Sequence, residues 1–467
     1  MKRVQFFLPA LFLLCFEANS KIKLPPLIAD HMVLQQQSNV ALWGWALKSS
    51  NVIITTSWNK RVYKTKADAN GAWNIKVETP IAGGPYAITI NDGTPLTIKD
   101  VLIGEVWLCS GQSNMEMPVK GFKNQPVLNS NNLLMEANNS SIRLIHFERA
   151  ASLKPEDSAI NTGWQLSSPE SVKEFSAVGY QFAKLLQQQL KVPVGIIGTY
   201  WGGTKVEAWM SKESFHSFPE IKIPADTTGT NKNTPTVLYN AMLHPLIGYG
   251  IKGVLWYQGE QNRPNSETYD QLLAAMVKDW RSRWQTGEWP FYYVQIAPYR
   301  YNDKLGPSAP LREAQAKALD LIPNSGMVVS MDVGEERSIH PPDKTTIAKR
   351  LLWLALANTY GYKGLAYASP SYSYMQVNHD TVIVRFKNAL NGLTSFGKTI
   401  AGFELAGEDK GFYPATAWIT GEGVRLKSEQ VKQPVAVRYA YKDWVIGDVY
   451  NTEGLPLCPF RTDTWKD

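Results

Sequence analysis

Between residue 21 and about residue 100, apolar residues come in short bursts with no helical period. Val40–Trp45, Val52–Trp58 and Trp73–Val77 are rich in β-branched and aromatic side chains, which suit a pleated, half-buried surface. Asn70-Gly71 and Asp92-Gly93 supply residues that accept the positive φ a tight hairpin needs. This stretch predicts a small β-sandwich.

The pattern then changes. Continuous apolar runs recur at Val101–Cys109, Ile142–Phe147, Val194–Thr199, Ile251–Tyr257, Phe291–Ala297 and Met327–Met331. Between several of them the period is helical. Val172–Leu190 puts Phe175, Val178, Phe182, Leu185 and Leu186 on one face, with Ser171 and Glu174 at capping-box spacing. Thr268–Trp284 lines up Leu272, Leu273, Met276, Trp280 and Trp284, and a third helix, Asp343–Tyr360, stops at Gly361. Fully apolar strands alternating with amphipathic helices predict an α/β domain: a mainly parallel sheet between two helix layers.

From about Leu365 the strand signals return. Val382, Val384 and Phe386 alternate with polar neighbours, as do Val435, Val437, Tyr439 and Tyr441. The expected organisation is therefore a leader over 1–20, a β-sandwich over 21–100, an α/β domain over 101–364 and a β-rich domain over 365–467.

The leader is read from Lys2 and Arg3 ahead of an apolar run, Phe6 to Phe16, with Ala18 and Ser20 at signal-peptidase spacing. It is too short to span a bilayer comfortably, so the expectation is an exported protein, periplasmic or extracellular, without membrane insertion. The formal charge of +7 is modest for 467 residues, and no dense Lys/Arg cluster argues for nucleic-acid binding. Beyond Cys15 only Cys109 and Cys458 remain, which is no disulfide framework. They pair, or they are two buried thiols. No Cys/His spacing resembles a zinc site, so no metal or cofactor is expected.

In a parallel α/β sheet, ligands bind beyond the carboxyl ends of the strands. After the first catalytic strand comes Cys109-Ser110-Gly111-Gln112-Ser113-Asn114-Met115, and after the third Trp201-Gly202-Gly203-Thr204. Gln258-Gly259-Glu260-Gln261-Asn262 follows the fourth, and Ser338-Ile339-His340-Pro341 follows the sixth. A hydroxyl, paired glycines, an amide and an imidazole on one rim are the parts ester cleavage needs. The hydroxyl attacks only when an imidazole takes its proton, and preorganised donors must meet the oxyanion. Taken singly each piece is ordinary: a turn serine, a tight loop, a capping Asn, a structural His. Their joint placement on successive strand ends carries the reading.

Gly104 to Met115, Trp201 to Trp209, Leu238 to Met242, Trp256 to Asn262 and Ile339-His340-Pro341 resemble the conserved blocks of sialate O-acetylesterases, in the SGNH hydrolase superfamily. His31 to Gln35 near the start, and Gly454-Leu455-Pro456 with Pro459 to Asp463 near the end, extend the likeness to both flanks. The resemblance implies an SGNH-like α/β/α domain with β-rich flanks, and hydrolysis of sugar O-acetyl esters through an acetyl-serine, without metal or cofactor. It implies Ser113 as nucleophile, His340 as base, and Gly203 (or Gly202) with Asn262 at the oxyanion. Gln112, Gln258 and Glu260 are expected near the pocket, as substrate contacts or as loop braces.

One position departs from the pattern. The superfamily commonly has Asp three residues before the catalytic His, and here Arg337 stands there. A guanidinium has no acceptor for an imidazole N–H. The expected partner of His340 is a backbone carbonyl or one of Asp332, Glu335, Glu336 and Asp343, with Asp343 also placed to cap the following helix. Two alternatives stand beside this reading: an acetylesterase of plant polysaccharide such as xylan, and a non-catalytic glycan binder presenting Trp45, Trp58 or Trp73, against which the set of Ser113, Asn262 and His340 argues because binding needs no nucleophile with a base.

Overall fold

The computed structural model describes residues 22–465 apart from residue 227, so the leader read over residues 1–20 lies outside the described residues. Its organising element is one long strand, Pro95–Gly111, of 17 residues. The exposure of its side chains changes along its length. It alternates through residue 100 and is unbroken burial from Val101 to Gly111. That is the signature of a strand leaving a sheet with a solvated face for one covered on both faces.

The first part of the strand pairs antiparallel with Gly83–Asn91 in the N-terminal β region. The second part is the middle of the parallel sheet of the α/β domain, beside Val194–Tyr200 on one side and Gly253–Tyr257 on the other. The strand thus runs through the position, residues 100 to 101, at which the sequence places a domain boundary. A second layer of the N-terminal region is made by Asn39–Trp45 paired with Ala72–Glu78.

Across this sheet the order is Ser325–Val328, Phe291–Val294, Gly253–Tyr257, Pro95–Gly111, Val194–Tyr200 and Asn139–His146, all parallel, with antiparallel Gln165–Ser167 at the edge. Alternate residues of these strands face two separate cores. Trp107, Cys109, Ile196 and Leu255 pack with Val178, Phe182, Ile347 and Leu351 from helices Ala177–Leu190 and Lys344–Leu354. Val106, Leu108, Ile197 and Trp256 pack instead with Leu272, Met276, Trp280 and Leu311 from helices Tyr269–Trp284 and Ala309–Leu321. This is the three-layer α/β/α arrangement expected. The C-terminal region is antiparallel, built on Ser371–Asn378, Thr381–Lys387, Gly423–Lys427 and Thr416–Thr420, with Phe403–Ala406 beside Ala436–Tyr439.

The helix read as continuous over Val172–Leu190 is two, Pro169–Glu174 and Ala177–Leu190. Phe175 is extended between them, and Ser176 starts the second by accepting from Gly179 N at 3.1 Å. The capping box sits one turn earlier than expected, between Ser168 and Ser171. The break is useful, because the Ser176 hydroxyl also donates to Met115 O at 2.5 Å and so ties this helix to the turn that carries Ser113. Cys109 and Cys458 are separate, buried free thiols. Among the described residues no helix is long and apolar enough to cross a membrane.

Candidate active site

Ser113 opens a one-turn helix, Ser113–Glu116, directly beyond the carboxyl end of the central strand. The turn is possible only because residue 111 is glycine. Gly111 has φ 136°, and a β-carbon there would lie 2.2 Å from the Tyr257 carbonyl oxygen of the neighbouring strand. As the first residue of a helix, Ser113 has no intrahelical acceptor for its N–H, which leaves that donor free for an oxyanion.

The glycine loop follows the adjacent strand, Val194–Tyr200, and closes on Ser113. A β-carbon on Gly202 would stand 3.0 Å from Ser113 Cβ. Gly202 N–H is already committed, donating to Glu116 Oε2 at 2.8 Å. Gly203, at φ 67°, is the one of the pair whose N–H keeps no acceptor among the described residues. Of the two glycines left open by the sequence, the geometry favours Gly203 as donor.

Asn262 is fully buried and held by three bonds. Its Oδ1 accepts from Val206 N at 2.9 Å and Gln258 Nε2 at 2.7 Å, while Nδ2 donates to Glu207 Oε2 at 2.7 Å. Those partners fix which end of the amide is nitrogen, and the second Nδ2 hydrogen remains to donate. They also join the Asn262 loop to the chain that follows the two glycines.

His340 is half-buried on the loop after the edge strand. Its Nδ1 contacts Gln125 Oε1, and the Phe122 ring packs edge-on against the imidazole with centroids 5.2 Å apart. An amide oxygen only accepts, so Nδ1 carries the hydrogen and Nε2 keeps its lone pair. Nε2 is buried with no partner among the described residues. Burial, and secondarily the charge of Lys344, pushes the imidazole down to about 4, so it is neutral at ordinary pH.

The partner of His340 is therefore neither a backbone carbonyl nor a loop carboxylate. Asp332 is taken by a bidentate pair with Arg350 at 2.7 Å, Glu336 pairs with Arg300, and Asp343 caps the next helix through Thr346 N at 2.9 Å. Glu335 is exposed, as is Arg337.

Behind the rim lies a buried polar relay absent from the sequence reading. Asn114 Nδ2 donates to Glu260 Oε1 at 2.7 Å and to Ile339 O at 3.1 Å, and Asn114 Oδ1 accepts from Lys344 Nζ at 2.6 Å. One amide thus binds the turn that carries Ser113 to the residue preceding His340. Burial raises the Glu260 carboxyl and lowers the Lys344 ammonium to about 7, each against the attraction of the other.

Of the expected pocket residues, Gln112, Gln258 and Glu260 are all enclosed. Gln258 donates to Thr204 O and Asn262 and accepts from Tyr269, and Gln112 Oε1 takes Gly259 N–H at 3.3 Å. In this structure they brace the loops.

The family model described as carbohydrate esterase, sialic acid-specific acetylesterase, matches residues 103–360. The human sialate O-acetylesterase is 32% identical over 383 residues, covering 73% of this chain and 72% of that protein. The mouse sialate O-acetylesterase is 30% identical over 407 residues, covering 73% and 74%. A solved carbohydrate acetylesterase from Xanthomonas citri superposes with a TM-score of 0.86 at 35% identity, over 95% of this chain and 100% of that one.

Proposed function

Because this chain belongs to the sialic acid-specific acetylesterase family of carbohydrate esterases, and is an esterase that removes O-acetyl groups from sugars, we propose that Ser113 and His340 perform the cleavage and that the sugar is a sialic acid. The observation that carries this reading is the state of His340. Its Nδ1 is held by Gln125, its Nε2 has no partner among the described residues, and its loop is tied through Asn114 to the serine turn.

Nε2 takes the Ser113 proton as Oγ attacks the acetyl carbonyl. Charge then develops on the carbonyl oxygen, where the N–H groups of Ser113 and Gly203 and the spare hydrogen of Asn262 Nδ2 meet it. Collapse breaks the bond to the sugar oxygen, which leaves with the proton from His340. Water enters and gives its proton to the same nitrogen as its oxygen attacks the acetyl carbon; collapse then breaks the bond to Ser113 Oγ, which takes the proton back from His340 as acetate leaves. The basic and apolar stretch over residues 1–20 supports export to the periplasm or beyond.

The test is acetate release from O-acetylated sialic acids beside acetylated xylan, by wild type, Ser113→Ala and His340→Ala. The reading expects sialate to be the better substrate and both variants to lose activity on it. Preference for xylan would replace the substrate, and an active Ser113→Ala would remove the mechanism.

A further inference from the structure

The strand Asn139–His146 ends on the same carboxyl rim, beside Val194–Tyr200, whose next loop carries the two glycines. Arg149 follows that strand. Its Nε donates to Glu116 Oε1 at 2.6 Å, the other oxygen of Glu116 holds Gly202 N–H, and Gly202 leans on Ser113. One carboxylate separates this guanidinium from the glycine packed on the nucleophile.

From this geometry we infer that Arg149 binds a carboxylate on the sugar and makes the enzyme selective for acidic O-acetylated substrates; the inference rests on the reading of the site above. Only Nε is committed. Among the described residues Nη1 and Nη2 have no acceptor, and the Arg149 side chain is 52% exposed where that of Glu116 is 9%. An arm pinned at Nε with its outer edge in solvent is preorganised for the two-point contact that guanidinium makes with carboxylate. Lys232 adds a second positive charge to this flank. Its Nζ donates to Gly202 O at 2.5 Å and would lie 3.0 Å from a β-carbon on Gly203. Glu116, between the two cations, has both oxygens occupied. A neutral acetylated sugar can offer this edge hydroxyl and carbonyl acceptors but no counter-charge.

The test compares an O-acetylated sialic acid with the same sugar as its carboxyl methyl ester, using 4-nitrophenyl acetate as the uncharged reference. Wild type should prefer the free acid in kcat/KM by roughly ten- to hundred-fold, the usual worth of a hydrogen-bonded charge, mostly through KM. Arg149→Met should bring that ratio close to one. Equal hydrolysis of acid and ester by wild type overturns the inference and leaves the sialate reading standing. A ratio that survives in Arg149→Met, with all three substrates slowed alike, also overturns it and leaves Arg149 as a brace for Glu116. If neither sugar is hydrolysed while 4-nitrophenyl acetate is, the sialate reading fails and takes this inference with it.

Discussion

Gln125 Oε1 accepts the Nδ1 hydrogen of His340, so an uncharged amide stands where a carboxylate would otherwise hold the imidazole. The amide fixes the tautomer and the ring plane. It adds no negative charge, and the positively charged Lys344 is close enough to lower the imidazole further. Base strength is thereby traded for neutrality over a wide pH range.

That arrangement predicts the acid limb of the reaction. As the proposed base, His340 works only when unprotonated, so kcat/KM should rise with pH through about 4 and stay level into the neutral range. An ordinary histidine would put the half-point near about 6.5. The pH profile with 4-nitrophenyl acetate decides between them, and a half-point in the ordinary range contradicts the burial argument.

Substituting Gln125→Glu places a negative charge against the imidazole and favours its protonated form. The acid limb should move to higher pH by roughly one to three units. Gln125→Ala should instead lower kcat at every pH, because nothing then selects the tautomer. If the profile of the Glu variant does not move, Gln125 does not hold the working imidazole.

Asn262→Ala should cut kcat by roughly 10²–10³-fold with KM nearly unchanged, since in the proposed mechanism the amide meets full charge only in the transition state. A raised KM with kcat intact would make Asn262 a binding residue.

Gly111→Ala tests the turn. A β-carbon 2.2 Å from Tyr257 O at φ 136° forces the central strand to shift. The combined steric and backbone cost is about 2–4 kcal/mol of stability, measurable as a lowered urea midpoint. Retention of wild-type stability would show that the turn relaxes freely.

What was legible in the sequence follows from physics that is local. Strands such as Val194–Tyr200 and Gly253–Tyr257 are buried on both faces, and their unbroken apolar runs announce it. The long strand reads as starting at Val101 because its unbroken apolar run, like its unbroken burial, begins only there. The break at Phe175 was invisible because the apolar face continues across it, and only the Ser176 contact to Met115 O reveals its purpose. Ser113, Gly203, Asn262 and His340 stood out as chemistry-bearing residues at strand ends. Gln125 did not, being a polar loop residue 215 positions from its partner. The Asn114–Glu260–Lys344 relay likewise joins three distant segments, and no spacing rule links them.

In the proposed mechanism Ser113 carries the acetyl group between the two halves of the reaction. Rapid acid quenching of wild type during turnover of 4-nitrophenyl acetate, followed by peptide mass analysis, reads that species directly. One acetyl per chain, confined to the peptide bearing Ser113 and absent from Ser113→Ala, is the predicted result. An acetyl group on another residue, or full turnover by Ser113→Ala, would contradict the mechanism.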